Sequence, residues 1–218
     1  MKNLLLILLL TSLIACSNSV QDSDLNTSNF NDSIVLPEPD KTRGLPFMKA
    51  LDVKASVHEW SSEKLNFQDL SDLVWAANGI NRPEEGNRTA SSAQNAQDID
   101  LYIFMEDGIY IYEASKHVLN GQVSGDYRHL PGKTDAPITI VLISDISRFR
   151  DGYEEYIMSW ANIDCGIVSQ NISLFCAATD LTTRPKAIFK EAGNKIREVL
   201  KLKDSQHILL HHPVGYAK

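Results

Sequence analysis

A β-hairpin in the middle of this 218-residue chain places the strongest constraint on its fold. Ile99 to Met105 is rich in β-favouring residues, Asp107-Gly108 supplies a turn, and Ile109 to Tyr112 returns. An Asp-Gly pair between two such arms is a strong hairpin signal, because the tight turn that joins twisted strands needs residues that tolerate positive φ. The apolar run Pro137 to Ile143 suits a buried strand, and His207 to His211 is predicted as the last strand.

Helical patterns surround these strands. Asn66 is predicted to cap a helix with one apolar stripe, which ends at Gly79, and a short helix is predicted over Leu45 to Leu51. Asn120-Gly121 and Pro131-Gly132 are typical of a loop region. Three further helices are predicted over residues 147–161, 164–179 and 186–200. The middle one is apolar over most of its surface and should be central. Strands separated by helices, with one hairpin, predict an α+β fold in which a central mixed β-sheet is flanked by helices.

The N-terminus resembles a bacterial lipoprotein signal. Lys2 precedes a short apolar run, Leu4 to Ile14, which is shorter than a membrane-spanning helix needs. The run ends in Leu13-Ile14-Ala15-Cys16, which resembles the lipobox after which Cys16 is lipidated. An ordinary signal peptide with an incidental cysteine is the alternative. By analogy with such signals, Ser17 favours the outer membrane of a bacterial cell envelope, facing the periplasm, with the N-terminal lipid as the membrane contact.

This leader sets the predicted domain organisation. Residues 1–16 form the signal peptide, residues 17–40 form a flexible tether rich in Asn, Ser and Asp, and residues 41–218 form one domain.

Charge, motifs and cysteines argue against several classes of function. The net charge is −7, or −8 once residues 1–15 with their single lysine are set aside, and no basic stripe is visible, which argues against a nucleic-acid partner. The chain lacks the Gly-rich nucleotide motifs and the G-x-S-x-G elbow of hydrolases.

Cys165 and Cys176 would lie about 16 Å apart on one helix, too far for a disulfide. His211 and His212 are adjacent on a predicted strand and make a poor metal pair, because their side chains point to opposite faces.

The run from Thr89 to Gln97 contains no large apolar side chain. It contributes little to a core, but its hydroxyl and amide groups are donors and acceptors that suit the polar part of a cofactor. A solvated loop leading into a helix is the alternative interpretation.

Taken together, these segments resemble the FMN-dependent nitroreductase family from about residue 35 to residue 216. The matching segments occur in the family's order: Lys54-Ala55-Ser56-Val57-His58, Leu73 to Gly79, Ser91 to Gln97, the helix residues Asp164, Gly166, Gln170 and Asn171, and Pro213 to Tyr216.

The resemblance implies FMN as the cofactor and indicates which residues hold it. Cations and hydroxyls for the phosphate are supplied by Lys54, Ser56, His58 and Lys218. Short polar groups for the ribityl chain and the pyrimidine edge are supplied by Ser91, Ser92, Asn95 and Gln97. A backbone N–H for flavin N5 is expected from residues 184–187, with Lys186 and Ala187 as candidate contacts.

The resemblance also implies a nitroreductase-like oxidoreductase without a catalytic side chain. Flavin N5 passes hydride from a reduced small-molecule donor, NAD(P)H by family, to a small-molecule acceptor such as a nitro or quinone compound. Relatives generally bind FMN at a homodimer interface. Export leaves the donor open, because NAD(P)H is expected to be scarce outside the cytoplasm.

Two departures from the family pattern support an alternative: the phosphate segment has only Lys54 and His58 as basic residues, and the C-terminal arm is short. Two further departures are Ser91, where the family has proline, and Thr179-Asp180-Leu181-Thr182, where the family has Gly-Leu-Gly. The alternative is a non-catalytic, lipid-anchored module of the same fold that binds flavin or a partner protein.

Overall fold

The computed structural model describes residues 30–218. The predicted signal peptide, Cys16 and the first part of the predicted tether lie outside these residues. The strands and helices in chain order are β1 (Ser33–Val35), α1 (Phe47–Val53), α2 (Phe67–Asn78), β2 (Ile80–Arg82), β3 (Asn87–Arg88), β4 (Ile99–Phe104), β5 (Gly108–Glu113), β6 (Val118–Ser124), β7 (Ile138–Asp145), α3 (Glu154–Ala178), β8 (Leu181–Thr183), α4 (Lys190–Leu200) and β9 (Gln206–Tyr216).

The main sheet within these residues has seven strands in the order β1-β6-β5-β4-β7-β9-β8, and hydrogen-bonded neighbours are antiparallel. The predicted hairpin is β4 and β5, in which Tyr102 lies opposite Ile111. The predicted buried strand is β7, which pairs with β4 and β9 and is buried over its first seven residues. The α+β architecture of a central sheet flanked by helices is therefore confirmed.

Helices cover both faces of the sheet. On one face, α2 and α3 pack against the sheet through the main apolar core, which includes Leu73 and Ile172. On the other face, Ile196 of α4 packs against Val141 and Ile143 of β7. Among residues 30–218, no helix has the length and apolar character that crossing a bilayer requires.

The predicted boundaries of α2 are confirmed. The Asn66 side chain accepts a hydrogen bond from the backbone N–H of Asp69 at 2.7 Å, which caps the first turn. The helix ends at Gly79, whose backbone N–H donates to Trp75 O. A β-carbon at Gly79 would overlap the Trp75 ring, so this helix end requires glycine.

Two of the predicted helices are one helix, α3. The predicted break falls near Asn162, whose side chain instead donates to Met158 O one turn earlier and so remains compatible with the helix. The preceding segment is not α-helical, because Ile146–Arg148 forms a 3₁₀ turn and Gly152 has a φ of +88°. Cys165 and Cys176 both lie buried and free on α3, in agreement with the prediction that they do not pair.

Three other boundaries differ from the predictions. The predicted tether is too long at its C-terminal end, because β1 pairs with β6 and Leu36 is buried. Asn120-Gly121 lies inside β6 and not in a loop, since Gly121 lets the chain at Asn31 approach: a β-carbon there would lie 2.6 Å from Asn31 O. Helix α4 begins at Lys190 and not at Lys186, because Lys186 forms a β-bridge with His211.

Candidate functional site

The segment 54–58, predicted to bind phosphate, lies beside strand β8. The backbone N–H of Val57 donates to Thr183 O at 3.2 Å. The segment follows α1 directly, and the Lys54 backbone N–H closes that helix by donating to Ala50 O at 3.0 Å. Lys54 is half-buried, whereas Ser56 and His58 are exposed. The segment therefore presents one cation and one hydroxyl at the edge of the sheet.

Arg184 supplies a second cation to this segment. Its guanidinium donates a hydrogen bond to Nδ1 of His58 at 2.5 Å. Because a guanidinium always donates, Nδ1 of His58 is the acceptor in this hydrogen bond. His58 therefore orients Arg184, whose guanidinium is a second cation at this segment.

The loop after β8 contains the predicted contacts to flavin N5. The backbone N–H of Lys186 donates to His211 O at 2.9 Å, and its ammonium reaches Lys133 O at 3.3 Å. Pro185 has no N–H, so Arg184 and exposed Ala187 are the residues of this loop whose N–H groups suit a ligand. The backbone N–H of Lys186, a predicted contact to flavin N5, is thus already engaged in the bridge with His211.

The C-terminal candidate Lys218 lies beyond β9. Its ammonium is 3.5 Å from a carboxylate oxygen of Glu59, and both side chains are exposed. This ion pair puts Lys218 next to the end of the segment 54–58, although Glu59 offsets its charge.

The second predicted segment, Ser91 to Gln97, is a loop with an unusual backbone. Residues 93–95 form a 3₁₀ turn, and Gln94, Asn95 and Gln97 have φ values of +56°, +53° and +49°. Left-handed residues other than glycine cost free energy and persist only where surrounding contacts hold them. Ser91 and Asn95 are exposed, and Ser92 is half-buried.

Hydrogen bonds within the 91–97 loop and to residues outside it hold this loop. The Ala93 backbone N–H donates to both carboxylate oxygens of Asp164 at 2.9 and 3.1 Å, and Gln97 N–H donates to Ser92 Oγ at 2.8 Å. Arg88 Nε donates to the Gln97 side chain and Arg148 donates to Gln97 O, each at 2.8 Å. The Arg150 backbone N–H donates to the Gln94 side chain at 2.9 Å. The side-chain amide of Gln97 also donates to Gly86 O, so Gln97 is committed to the loop itself.

The two predicted clusters contact different parts of α3. Asp164 holds the 91–97 loop, whereas Ser173 and Cys176 line a cavity of about 180 Å³ with Ala55, Val57 and Thr183. Twelve residues of helix separate Asp164 from Cys176, which corresponds to about 18 Å. The structure of one chain therefore does not bring the two clusters to one point.

Two adjacent histidines of β9 are buried near the first cluster. His212 lies between the hydroxyls of Ser169 at 2.9 Å and Thr183 at 3.1 Å. Burial, with the charges of His211 and Lys54, lowers the pKa of His212 to about 3. Burial and the Lys186 charge lower the pKa of His211 to about 4, and neither ring nitrogen of His211 has a hydrogen-bond partner among the described residues. Both rings are neutral near pH 7.

A polar pocket of about 540 Å³ lies behind the 91–97 loop, where Arg88, Gln97 and Arg148 meet β4 and β5. Arg148 and Asp100 form an ion pair of 2.7 Å, and burial lowers the pKa of Arg88. Within residues 30–218, no group of three or more His, Cys, Asp or Glu side chains is arranged to hold a metal ion.

The sequence does not predict the side-chain contacts of Arg184 and Asp164. It predicts that segment 184–187 supplies a backbone N–H, and Asp164 only matches a family motif. Neither contact has a local signal, because His58 and Arg184 are 126 positions apart and Ala93 and Asp164 are 71 apart.

Similarity to known proteins extends over most of the chain. The sequence profile of the nitroreductase family matches residues 54–216. A Methanocaldococcus jannaschii protein assigned as a nitroreductase is 27% identical over 176 residues, covering 74% of this chain and 86% of that protein. A crystal structure from Ralstonia eutropha, also assigned as a nitroreductase, superposes with a TM-score of 0.80 at 27% identity, covering 86% of this chain and 90% of that one.

A more distant match shows the fold alone. A chain of the Escherichia coli microcin synthetase complex superposes with a TM-score of 0.66 at 15% identity, covering 85% of this chain and 78% of that one. The predicted nitroreductase-like fold is confirmed by these superpositions.

The profile match covers most of the sequence, and it includes both polar clusters described above. The chain therefore belongs to the nitroreductase family.

Proposed function

We propose that this protein is an FMN-dependent oxidoreductase that acts as a homodimer at the envelope of a bacterial cell. The nitroreductase family consists generally of oxidoreductases, and its members are generally flavoproteins that act on small-molecule donors and acceptors. The more specific parts of the proposal rest on the two polar clusters and on the leader sequence.

The observation that carries the proposal is the pairing of Arg184 with His58. A flavin phosphate is a dianion and requires at least two cations or strong donors. Lys54 and Arg184 supply two cations at the same edge of the sheet. Ser56, the middle residue of segment 54–58, adds an exposed hydroxyl. The donor set therefore fits a phosphate, despite the loss of a basic residue from the segment 54–58.

The 91–97 loop fits the uncharged polar part of FMN. Exposed Ser91 and Asn95 offer a hydroxyl and an amide, and the loop backbone is held rigidly by contacts from outside it. Such pre-organisation favours binding, because the loop loses little conformational freedom when a ligand arrives.

A homodimer accounts for the separation of the two clusters. A second copy packed along α3 would let one FMN meet the 54–58 segment of one copy and the 91–97 loop of the other. The exposed apolar side chains suit such contact: on α1 they include Phe47 and Met48, and on α3 they include Tyr156 and Ile163.

When bound, FMN supplies hydride transfer at N5, by family from a reduced nicotinamide to an acceptor such as a nitro or quinone compound. The chain's own residues bind and orient. Lys54 and Arg184 bind the phosphate, and the N–H of Arg184 or Ala187 fixes the position of N5. No side chain of this chain is required as a nucleophile.

The leader sequence supports a place at the outer membrane, facing the periplasm. Cys16 would carry the lipid, and the residues between Cys16 and β1 would act as the tether. The short length of this linker would keep the domain close to the membrane surface.

The cofactor proposal is tested on the full-length protein purified in mild detergent. We expect a flavin absorption spectrum, release of FMN with the correct mass on denaturation, and oxidation of NADH in the presence of a quinone. A colourless protein that stays colourless after incubation with FMN would contradict the proposal and favour a non-catalytic module.

A further inference from the structure

Two carboxyl groups are in contact inside the protein, beneath the 91–97 loop. Asp98 directly precedes β4 and has no exposed surface, and Asp164 on α3 is 2% exposed. The two side chains lie close enough to interact, and this interaction raises the pKa of Asp98 and opposes the rise in the pKa of Asp164. Two ionised carboxylates in contact repel, and burial penalises each charge, so such a pair holds a proton.

The surrounding hydrogen bonds indicate which carboxyl carries that proton. Asp164 accepts the Ala93 N–H with both of its oxygens, which favours its ionised form. Oδ2 of Asp98 accepts from Ser144 Oγ at 2.5 Å, but Oδ1 of Asp98 is buried and no group in the described part of the chain donates to it. If Oδ1 of Asp98 carries a proton and donates it in a hydrogen bond to Asp164, this buried oxygen no longer lacks a partner.

Within residues 30–218, three titratable or charged groups face Asp98. On α3 they are the Asp164 carboxyl and the thiol of Cys165, whose pKa is raised to about 12 by burial, and after β7 there is Arg148, which already bonds Asp100 and Gln97 O. Burial, opposed by the Ser144 hydroxyl and assisted by Asp164, raises the pKa of Asp98 to about 7. Burial also raises the pKa of the Asp164 carboxyl.

The 91–97 loop depends on this contact. Its three left-handed residues require restraint from outside the loop, and Asp164 restrains the N-terminal side of the 3₁₀ turn through Ala93 N–H. A second negative charge on Asp98 would repel the Asp164 carboxylate and disturb that hydrogen bond.

We propose that Asp98 and Asp164 share one proton and act as positioning residues, holding the 91–97 loop in the conformation that receives the cofactor. The part of this inference that concerns FMN rests on the proposed function. The shared proton is a property of the chain alone. Cofactor affinity then falls as the pH rises through neutrality, because the pair loses its proton.

The shared proton is tested on the full-length protein in detergent without flavin, labelled with ¹⁵N-alanine. We expect the Ala93 amide resonance to shift with a midpoint near neutral pH. Asp98→Asn, which retains a neutral donor to Asp164, should abolish this transition. Ser144→Ala should move the midpoint to higher pH, because it removes a donor that favours the ionised form of Asp98. The matched control, Asp151→Asn, changes an exposed carboxylate and should leave the midpoint unchanged.

The positioning role is tested by measuring FMN affinity by fluorescence between pH 5.5 and 8.5. We expect affinity to weaken by about tenfold per pH unit above the midpoint, and Asp98→Asn to keep the affinity of the low-pH state throughout.

Three outcomes would contradict parts of the inference. An Ala93 resonance that does not titrate, or that titrates equally in Asp98→Asn, would overturn the shared proton. FMN affinity that is independent of pH while Ala93 titrates would overturn the positioning role. Titration of Ala93 without FMN binding at any pH would overturn the cofactor proposal and support the shared proton.

Discussion

The Arg184 guanidinium lies 2.5 Å from Nδ1 of His58, although 126 positions separate the two residues in the sequence. The contact joins the loop after β8 to the segment after α1, and it replaces a cation that the segment 54–58 lacks. A hydrogen bond to a charged group contributes about 1.5–3 kcal/mol, so the loss of either cation should be measurable as weaker cofactor binding.

We expect Lys54→Ala and Arg184→Ala each to weaken FMN binding by about 10- to 100-fold, because each removes one cation from the phosphate site. Fluorescence titration of flavin-free protein measures the effect. Lys195→Ala is the matched control, since Lys195 pairs with Glu191 on α4, on the opposite face of the sheet. Equal affinity in the Lys54→Ala, Arg184→Ala and Lys195→Ala proteins would rule out this phosphate site.

Mixed dimers test whether one cofactor site is built from two copies. Lys54→Ala damages one cluster and Asn95→Ala damages the other. If the sites are shared, a dimer of one Lys54→Ala chain and one Asn95→Ala chain has one site with both changes and one intact site. We therefore expect co-expression of differently tagged chains, purified through both tags, to restore about half of the flavin content. Flavin content no higher than in the single-variant proteins would show that each site lies within one chain.

Arg43 should be important for stability, because it pairs with two buried carboxylates. Its guanidinium lies 2.6 Å from Asp69 and 2.9 Å from Asp72, and the Tyr216 hydroxyl also bonds Asp69. Arg43→Ala should lower the free energy of unfolding by about 3 kcal/mol, since removing one partner leaves buried charge unpaired. Urea denaturation measures this change.

The control for Arg43 is Lys49→Ala, which breaks an exposed ion pair with Asp52. It should change stability by less than about 1 kcal/mol. A similar, small effect for Arg43→Ala would mean that solvent reaches Asp69 and Asp72 and screens their charge.

The neighbouring histidines His211 and His212 should respond in opposite ways to the same substitution. His211→Leu removes a buried ring whose nitrogens have no hydrogen-bond partner among residues 30–218, and should stabilise the protein at pH 7.5. His212→Leu leaves the buried hydroxyl of Ser169 without its His212 partner, and should destabilise the protein by about 1–3 kcal/mol. Thermal unfolding compares the two, and destabilisation by both would show that His211 makes favourable contacts.

The same histidines predict loss of stability in acid. Burial lowers the pKa of His211 to about 4 and that of His212 to about 3, below the ordinary value of 6.5. The unfolded chain therefore binds more protons than the folded one below pH 6.5, and the free energy of unfolding falls as the pH falls. Each histidine contributes up to about 1.4 kcal/mol per pH unit in this range. His211→Leu should reduce the slope between pH 6 and 4.5, and an unchanged slope would contradict its neutral state.

Cys16→Ser tests the membrane anchor. If Cys16 carries the lipid, the variant should leave the membrane fraction, and the N-terminal peptide should lose the mass of the acyl groups. Cys165→Ser is the matched control, because Cys165 is buried in α3 and should not affect anchoring. A Cys16→Ser protein that stays with the membrane would contradict lipidation at this position.

Local patterns determined most of the secondary structure. The hairpin around Asp107-Gly108, the cap at Asn66 and the buried strand over residues 138–145 follow from neighbouring residues, because turn geometry, capping and apolar runs act over a few positions. The set of motifs, read in order, also pointed to the correct family. Local patterns did not predict that α3 is one continuous helix or that Asn120-Gly121 lies in a strand. Packing of α3 against the sheet, and of Gly121 against Asn31, overrides the local signals that favour a break.

The sequence by itself determined which residue types the candidate site contains, but only the tertiary structure decided how they are paired. Arg184 reaches His58 because β8 lies beside the segment after α1, and Asp98 meets Asp164 because α3 crosses the sheet at the start of β4. These contacts join residues between 66 and 126 positions apart. Charge and protonation at the site therefore depend on distances and burial that only the folded chain creates.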